Sequence, residues 1–480
     1  MISRRPRNLL IFLVVLLAVA MPTVRTAQAE VSIEDERKMG EEFLKVAAGQ
    51  LPLIEDPEVV SYLGRVGQGI VARLYSYTFP YHFYVVNSDA LNAFAAPAGH
   101  IFMNRGLIEI MESEAELAAI LAHEIAHVQS RHLAHRIARA QKLNWATLGG
   151  ILAAIFLGSG EASQALIAGT QAGAASLQLA NSRQDEEESD RKGLRYLEAA
   201  GYNGSAMVSI MNKMAHESWQ SGGRIPSYLT THPGVPERVN YLASVVQTRP
   251  PSSPDTEKRS ENEVEFRMMQ AKLVGGYQDH SEAVGYFRQW LEQPDTVTMA
   301  YYGMGLVLRR QGKMEEAVNS FKKAISARPD LWPILVELGE TYFRMGKLDK
   351  AISVLESALA LESDQPTALF VLGRSLMEQG KTAEARRYLA RAEQLNGRLP
   401  SIQYHLGIAY GQLNQLGEAH YQFALHHLRH RSWKSAQFHL QEALRHANSP
   451  ERKEAILKAL KEIKQVNRAA KQPEANLGRH

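Results

Sequence analysis

No cysteine occurs among the 480 residues of this chain. That absence excludes disulfides, zinc–thiolate centres, cysteine nucleophiles and a lipid-bearing cysteine, so other groups must carry both stability and chemistry. Long apolar runs are missing too. Leu9–Ala20 falls short of the ~20 residues that a spanning helix needs, and the Ala-, Gly- and Leu-rich segment from Trp145 to Leu179 is broken by Gly158-Ser159-Gly160-Glu161. The latter reads as a buried hairpin or an apolar lid over a cleft, with at most peripheral membrane contact. Net charge is small: 54 basic residues less the four arginines of residues 1–29 leave 50, against 51 acidic ones. A near-neutral chain lacks the basic footprint of a nucleic-acid binder, and no nucleic acid is expected as a partner.

What is present divides the chain into five parts. Arg4, Arg5 and Arg7 precede the apolar run Leu9–Ala20, and Ala27-Gln28-Ala29 fits a small-residue cleavage site, so residues 1–29 read as a signal peptide and the periplasm as the destination. Residues 30–246 mix helix and strand. Residues 247–262, with Pro250, Pro251 and Pro254 among Ser and charged residues, read as a linker. Residues 263–446 repeat, and residues 447–480 read as a final helix and tail. The fold class expected is α+β and mainly helical, with a mixed domain followed by an all-α solenoid.

The repeat has a period of 34. Gly305, Gly339, Gly373 and Gly407 form one ladder and Ala317, Ala351, Ala385 and Ala419 another, with Ala271 and Ala283 one unit upstream. Gly312-Lys313, Gly346-Lys347 and Gly380-Lys381 supply turns between paired helices. The pattern resembles the tetratricopeptide repeat, which implies a curved surface for peptides or partner proteins. The last units are rich in histidine around His426, His427 and His430. Their irregular spacing reads as solvated helix surface rather than a second metal site.

The densest chemical signal is His123-Glu124-Ile125-Ala126-His127, in an Ala-rich stretch without Gly or Pro. Four-residue spacing places both imidazoles on one helical face, where they can share a Zn²⁺, with Glu124 beside them as a general base for water. The helix is expected to run from Ser113 or Glu114 through Ala140, capped by Ser113. Leu133 stands where a third histidine of the metzincin pattern would be, and His132 and His135 fall off the ligand face of a regular helix. A later helix offers the third ligand. Within Asp185-Glu186-Glu187-Glu188-Ser189-Asp190-Arg191-Lys192-Gly193, only Glu186 is four residues before Asp190, so Glu186 can bind zinc while Asp190 orients a histidine or stabilises the reacting species.

His-Glu-x-x-His followed by Glu-x-x-x-Asp-x-x-Gly resembles the M48 peptidases, a gluzincin family. Asn92-Ala93-Phe94-Ala95 with Pro97 and Gly99 is similar to that family's edge-strand region, and Thr231-His232-Pro233 with Arg238 to its late His-Pro element. The resemblance, over about residues 33–245, implies one Zn²⁺ per chain held by His123, His127 and Glu186. It makes Glu124 the general base and Asp190 a proton donor. His232 would polarise the scissile carbonyl, stabilise the oxyanion, or bind zinc as a fourth ligand. The segment His100–Asn104 reads as a strand whose edge an extended substrate could join. The combination of a signal peptide, such a protease and tetratricopeptide repeats resembles periplasmic quality-control proteases, and that resemblance implies an endopeptidase of outer-membrane protein quality control. Its partners would be unfolded or stalled outer-membrane proteins and, through the repeats, the outer-membrane assembly machinery. The alternatives are a repeat-based chaperone or scaffold with a latent protease, and a protease of other envelope substrates.

Overall fold

A computed structural model describes residues 31–139, 181–220, 227–248, 256–397, 399–447 and 449–471. The expected signal peptide and the whole of the apolar segment 145–179 lie outside the described residues. None of the described helices is long and apolar enough to cross a membrane.

The first half is α+β. Helix α1 (Ile33–Gln50) leads into β1 (Leu53–Ile54), α2 (Pro57–Val71), β2 (His82–Val86), β3 (Ala93–Ala96) and β4 (His100–Asn104). The strands form one sheet in the order β1-β2-β4-β3, with β2 and β4 parallel and the outer pairs antiparallel. Both edges of β4 are therefore taken, and every one of its residues is buried. Among the described residues β3, and not β4, is the edge strand on this side of the sheet, so the pairing edge expected at His100–Asn104 falls to β3.

After the short α3 (Arg105–Glu109) comes α4 (Glu114–Gln129), which carries the His-Glu-x-x-His run. Ser113 caps it, its Oγ accepting from the Glu116 amide at 3.3 Å. From Leu117 to Val128 every residue is buried, because α4 passes through the middle of the domain among α2, α6 (Arg183–Ala199) and α7 (Ser205–Gln220). A helix apolar on all sides is a core helix. The expected continuation to Ala140 is interrupted: α4 ends at Gln129, Arg131 takes a left-handed φ of 51°, and α5 (His132–Arg139) starts afresh. That backbone costs roughly 1–2 kcal/mol outside glycine. It is held by two long-range bonds, Arg131 Nε to Glu36 Oε2 at 2.8 Å and Nη2 to the Val31 carbonyl at 2.7 Å. Helices α8 (Ser227–Thr231) and α9 (Val235–Gln247) complete this half.

Helix α10 (Thr256–Tyr277) takes up the second part of the segment read as linker, while 249–255 lie outside the described residues. One face adds Phe266, Met269 and Leu273 to the first core, and the other adds Met268, Ala271 and Val274 to the core of the repeats. Gln270, fully buried, donates to the carbonyls of Ile108 and Met111. The two halves thus share a helix.

Helix α11 (His280–Leu291) packs, like α10, mainly on α12 (Val297–Arg310), and paired helices follow: α12 with α13 (Met314–Ala327), α14 (Trp332–Arg344) with α15 (Leu348–Leu361), α16 (Pro366–Glu378) with α17 (Thr382–Leu395), α18 (Ile402–Gln412) with α19 (Leu416–Arg429), and finally α20 (Trp433–Arg445) and α21 (Pro450–Lys471). The glycine ladder has a packing cause. A Cβ on Gly305, Gly339, Gly373 or Gly407 would come within 2.5–2.7 Å of Phe321, Leu355, Leu389 or Phe423 on the paired helix. The turns also share one geometry, with φ of 76° at Gly312, 69° at Gly346 and 77° at Gly380. Asn414, 34 residues after Gly380, keeps that conformation at 57° and the same turn bond, from the Gln415 amide to the Tyr410 carbonyl at 2.9 Å. Asparagine tolerates this region and β-branched residues do not. Asn414→Val is expected to cost about 1–2 kcal/mol by urea unfolding, and Asn414→Gly close to nothing.

Candidate metal centre

Two helices build the site. The facing histidines of α4 meet Glu186 and Asp190 of α6, whose start is fixed by a capping box between Ser182 and Asp185. The approach is close because of Gly193, where a Cβ would stand 3.1 Å from the Ala122 carbonyl oxygen and from the His123 amide nitrogen. Gly193→Val is therefore expected to push α6 away from α4 and to weaken metal retention by about 10–100-fold, the usual cost of disturbing ligand support. Unchanged metal content after dialysis would refute that.

His123 Nε2 and His127 Nε2 are 3.0 Å apart, and Glu186 reaches them with Oε2 at 3.4 Å and Oε1 at 3.3 Å. His232, from the loop after α8, adds Nδ1 at 3.4 Å from His123 Nε2 and 3.0 Å from Glu186 Oε1. One ligand atom from each of the four, all buried, lies within 4.8 Å of every other. Bonds of ~2.0–2.1 Å in a tetrahedral zinc site put neighbouring ligands about 3.3 Å apart. The donor set and its spacing therefore fit such an ion.

Around these atoms stands a second layer. Asp190 lies 3.0 Å from His123 Nδ1, leaving Nε2 to face the centre, and Arg238 clamps the same carboxylate with two bonds of 2.7 Å. Arg238 Nη1 also reaches Glu186 Oε2 at 2.6 Å. His127 Nδ1 is 2.9 Å from Nδ1 of His132, which is buried, while Asn181 Nδ2 touches His232 Nδ1 at 3.1 Å and the Tyr228 ring stacks on His232 at 4.2 Å.

Charge follows from burial and these partners. Burial works against a proton on His123, but Asp190 and Glu186 outweigh it and hold its pKa at about 9. On His127 burial prevails and the pKa falls well below the usual imidazole range. Burial would raise Asp190, yet Arg238 and His123 keep it below its ordinary value, and Glu186 is likewise held down by His232 and His127 against burial. An ionised, doubly clamped Asp190 is poorly placed to give up a proton. Glu124 is raised by burial, and its Oε1 has no hydrogen-bond partner among the described residues, facing His232 Nε2 at 3.6 Å. That orphaned oxygen points toward the cleft, whose walls are Phe94, Ala95, Ala96 and Pro97 on one side and Glu124, His127 and His232 on the other.

All six residues singled out in the sequence thus fall in one place. His132 lies off the ligand face, as its spacing predicts, and supports His127 from behind, while sequence reasoning gave no role to Asn181 or Tyr228. Arg238 had been noticed only beside the late His-Pro element, and its fixed distance from His232 was the available signal.

Residues 58–246 match peptidase family M48, and residues 305–346 and 336–419 match tetratricopeptide repeats. The chain is 30% identical over 321 residues to the beta-barrel assembly-enhancing protease of Yersinia pestis, covering 65% of this chain and 64% of that one. With the protein of the same name from Escherichia coli (strain K12) it shares 30% over 311 residues, 63% and 62% of the two chains. With the mitochondrial metalloendopeptidase OMA1 of Schizosaccharomyces pombe it shares 28% over 217 residues, 44% and 61%. The chain spans less than two thirds of the length of these relatives. Its architecture is nonetheless plain: a peptidase M48 domain followed by C-terminal tetratricopeptide repeats.

Proposed function

We propose that the protein is a zinc-dependent endopeptidase of the periplasm that acts in outer-membrane protein assembly and quality control. The observation that carries the chemistry is the spacing of His123 Nε2, His127 Nε2 and the Glu186 carboxylate, 3.0–3.4 Å from one another, beside the unpartnered Glu124 Oε1. His123, His127 and Glu186 hold the ion. Bound zinc supplies a Lewis acid that polarises a carbonyl and makes water acidic near neutral pH. Glu124 accepts the proton of the attacking water at Oε1 and passes it to the leaving amine. Asp190 acts through His123 as a positioning residue fixed by Arg238, in place of the proton donor that the family resemblance suggests. β3, an edge strand among the described residues, lines the cleft, and an extended unfolded segment can pair its backbone there with little demand on sequence. The names of the relatives and the leader-like residues 1–29 support unfolded or stalled outer-membrane proteins as substrates, and the repeats support docking to their assembly machinery.

One observation favours a second reading, a repeat-based chaperone or scaffold whose protease is latent. His232 Nδ1 lies among the ligand atoms, where a fourth ligand would fill the position that a catalytic zinc keeps open. The two readings separate on zinc-loaded protein given an unfolded β-barrel substrate. If His232 restrains the site, His232→Ala raises cleavage several-fold; if it stabilises the reacting carbonyl, the same change lowers it by about 10²-fold. Cleavage undiminished by chelation of the metal would sink both.

A further inference from the structure

The hairpin of α19 and α20 carries His420, His426, His427 and His439, with His430 capping α19. Spacing alone scatters them over a helix surface, but pairing the helices brings two together. His420 Nδ1 and His439 Nδ1 are 2.9 Å apart across the hairpin and partly buried. We propose that His420 and His439 form a second metal site, taking a divalent ion of the zinc, nickel or copper class through these two nitrogens.

Three features carry the assignment. Ligand bonds of ~2.0–2.1 Å at a right angle place two nitrogens about 2.9 Å apart, the separation found here and the one a tetragonal or octahedral ion uses for neighbouring ligands. The His439 ring is held before any ion arrives: it stacks on His427 at 5.3 Å and packs on Phe423 at 5.4 Å and Phe438 at 5.1 Å, so little side-chain freedom is lost on binding. Glu442, one turn on from His439, adds negative charge beside the pair, which favours a cation there. Imidazole donors select this class of ion over calcium and magnesium, which prefer oxygen. The site lies on repeat helices, away from the four buried ligands of the peptidase centre, and nothing in the proposed proteolysis calls on it.

A shared proton in an Nδ1–H···Nδ1 hydrogen bond fits the same distance, and metal counting separates the two. The full chain is dialysed against Zn²⁺ at neutral pH and its metal is measured by mass spectrometry. Two equivalents are expected in the wild type, one in His420→Ala and in His439→Ala, and one in His123→Ala. On the His123→Ala variant, Cu²⁺ should give an electron paramagnetic resonance spectrum with coupling to two imidazole nitrogens, lost when His420 is also replaced. Circular dichroism of the metal-free variants checks that the hairpin stays folded. A single equivalent in the wild type would overturn the proposal. So would a second equivalent that survives both hairpin substitutions, or one lost only with His426→Ala or His430→Ala.

Discussion

Glu124→Gln is expected to abolish cleavage of an unfolded β-barrel substrate, lowering kcat/KM by about 10³-fold, while leaving the metal content at the wild-type level. The magnitude follows from the role. A positioned base contributes about 10²–10⁴-fold, so a 10³-fold loss corresponds to about 4 kcal/mol of transition-state stabilisation. Glutamine keeps the size and shape of a side chain that is only 1% exposed, so packing is preserved and the carboxylate alone is lost. Burial has already raised the proton affinity of Glu124 above that of an ordinary carboxylate, the direction that suits a base working near neutrality. Metal binding should be indifferent, because Glu124 is not among the four residues, His123, His127, Glu186 and His232, whose atoms could hold the ion. The measurement is paired: cleavage rate by gel or fluorescence, and zinc by mass spectrometry on the same preparation. A variant that cleaves like wild type would remove Glu124 from the mechanism. A variant that loses its zinc would make Glu124 part of the ligand support instead.

Legibility in the sequence followed the range of the interaction. The His-Glu-x-x-His run is local, and a helix of period 3.6 is enough to bring its two rings together. The repeats were legible because 34-residue ladders record the same contact again and again, Gly339 against Leu355 and then Gly373 against Leu389. Glu186 and Asp190 could be paired by their spacing, but the reason for Gly193 in the same motif appears only when α6 lies against the backbone of Ala122 and His123. The end of α4 was misread because its cause is distant: Glu36 and Val31 hold Arg131 in a conformation that no local pattern announces. Residues 247–262 looked like a linker by composition, yet α10 begins within them because Phe266 and Met269 on one face and Met268 and Ala271 on the other meet two different cores.

Lys272 of α10 sits at that junction, and Lys272→Met should destabilise the whole chain by about 3 kcal/mol. Its ammonium reaches Glu58 at 2.7 Å and Asp56 at 3.5 Å at the start of α2, and Glu337 of α14 at 3.1 Å. Arg309 supports Glu337 from the repeat side at 2.5 Å. Removing one partner from a buried ion cluster costs roughly 3–5 kcal/mol, and the lower end applies because the Glu58 side chain is still 27% exposed. The pH dependence tests the cause. Burial works against the Glu337 carboxylate, but Arg309 and Lys272 depress its pKa to about 2 from 4.5, so its contribution is present above 4.5 and fades as pH falls toward 2. Burial likewise opposes the charge of Lys272, yet Glu58 and Asp56 raise its pKa, so its contribution is complete below 10.5 and is lost as pH rises through the raised value. Glu58 goes the other way: burial lifts it above 4.5 even beside Lys272, and without the ammonium it climbs further. The variant should therefore show a larger deficit near pH 8 than near pH 5, because the upward shift of Glu58 makes its unpaired charge easier to neutralise as the pH falls. Urea midpoints at the two pH values measure this directly. A deficit equal at both would mean that the methionine is penalised for its packing and not for the charge it lacks.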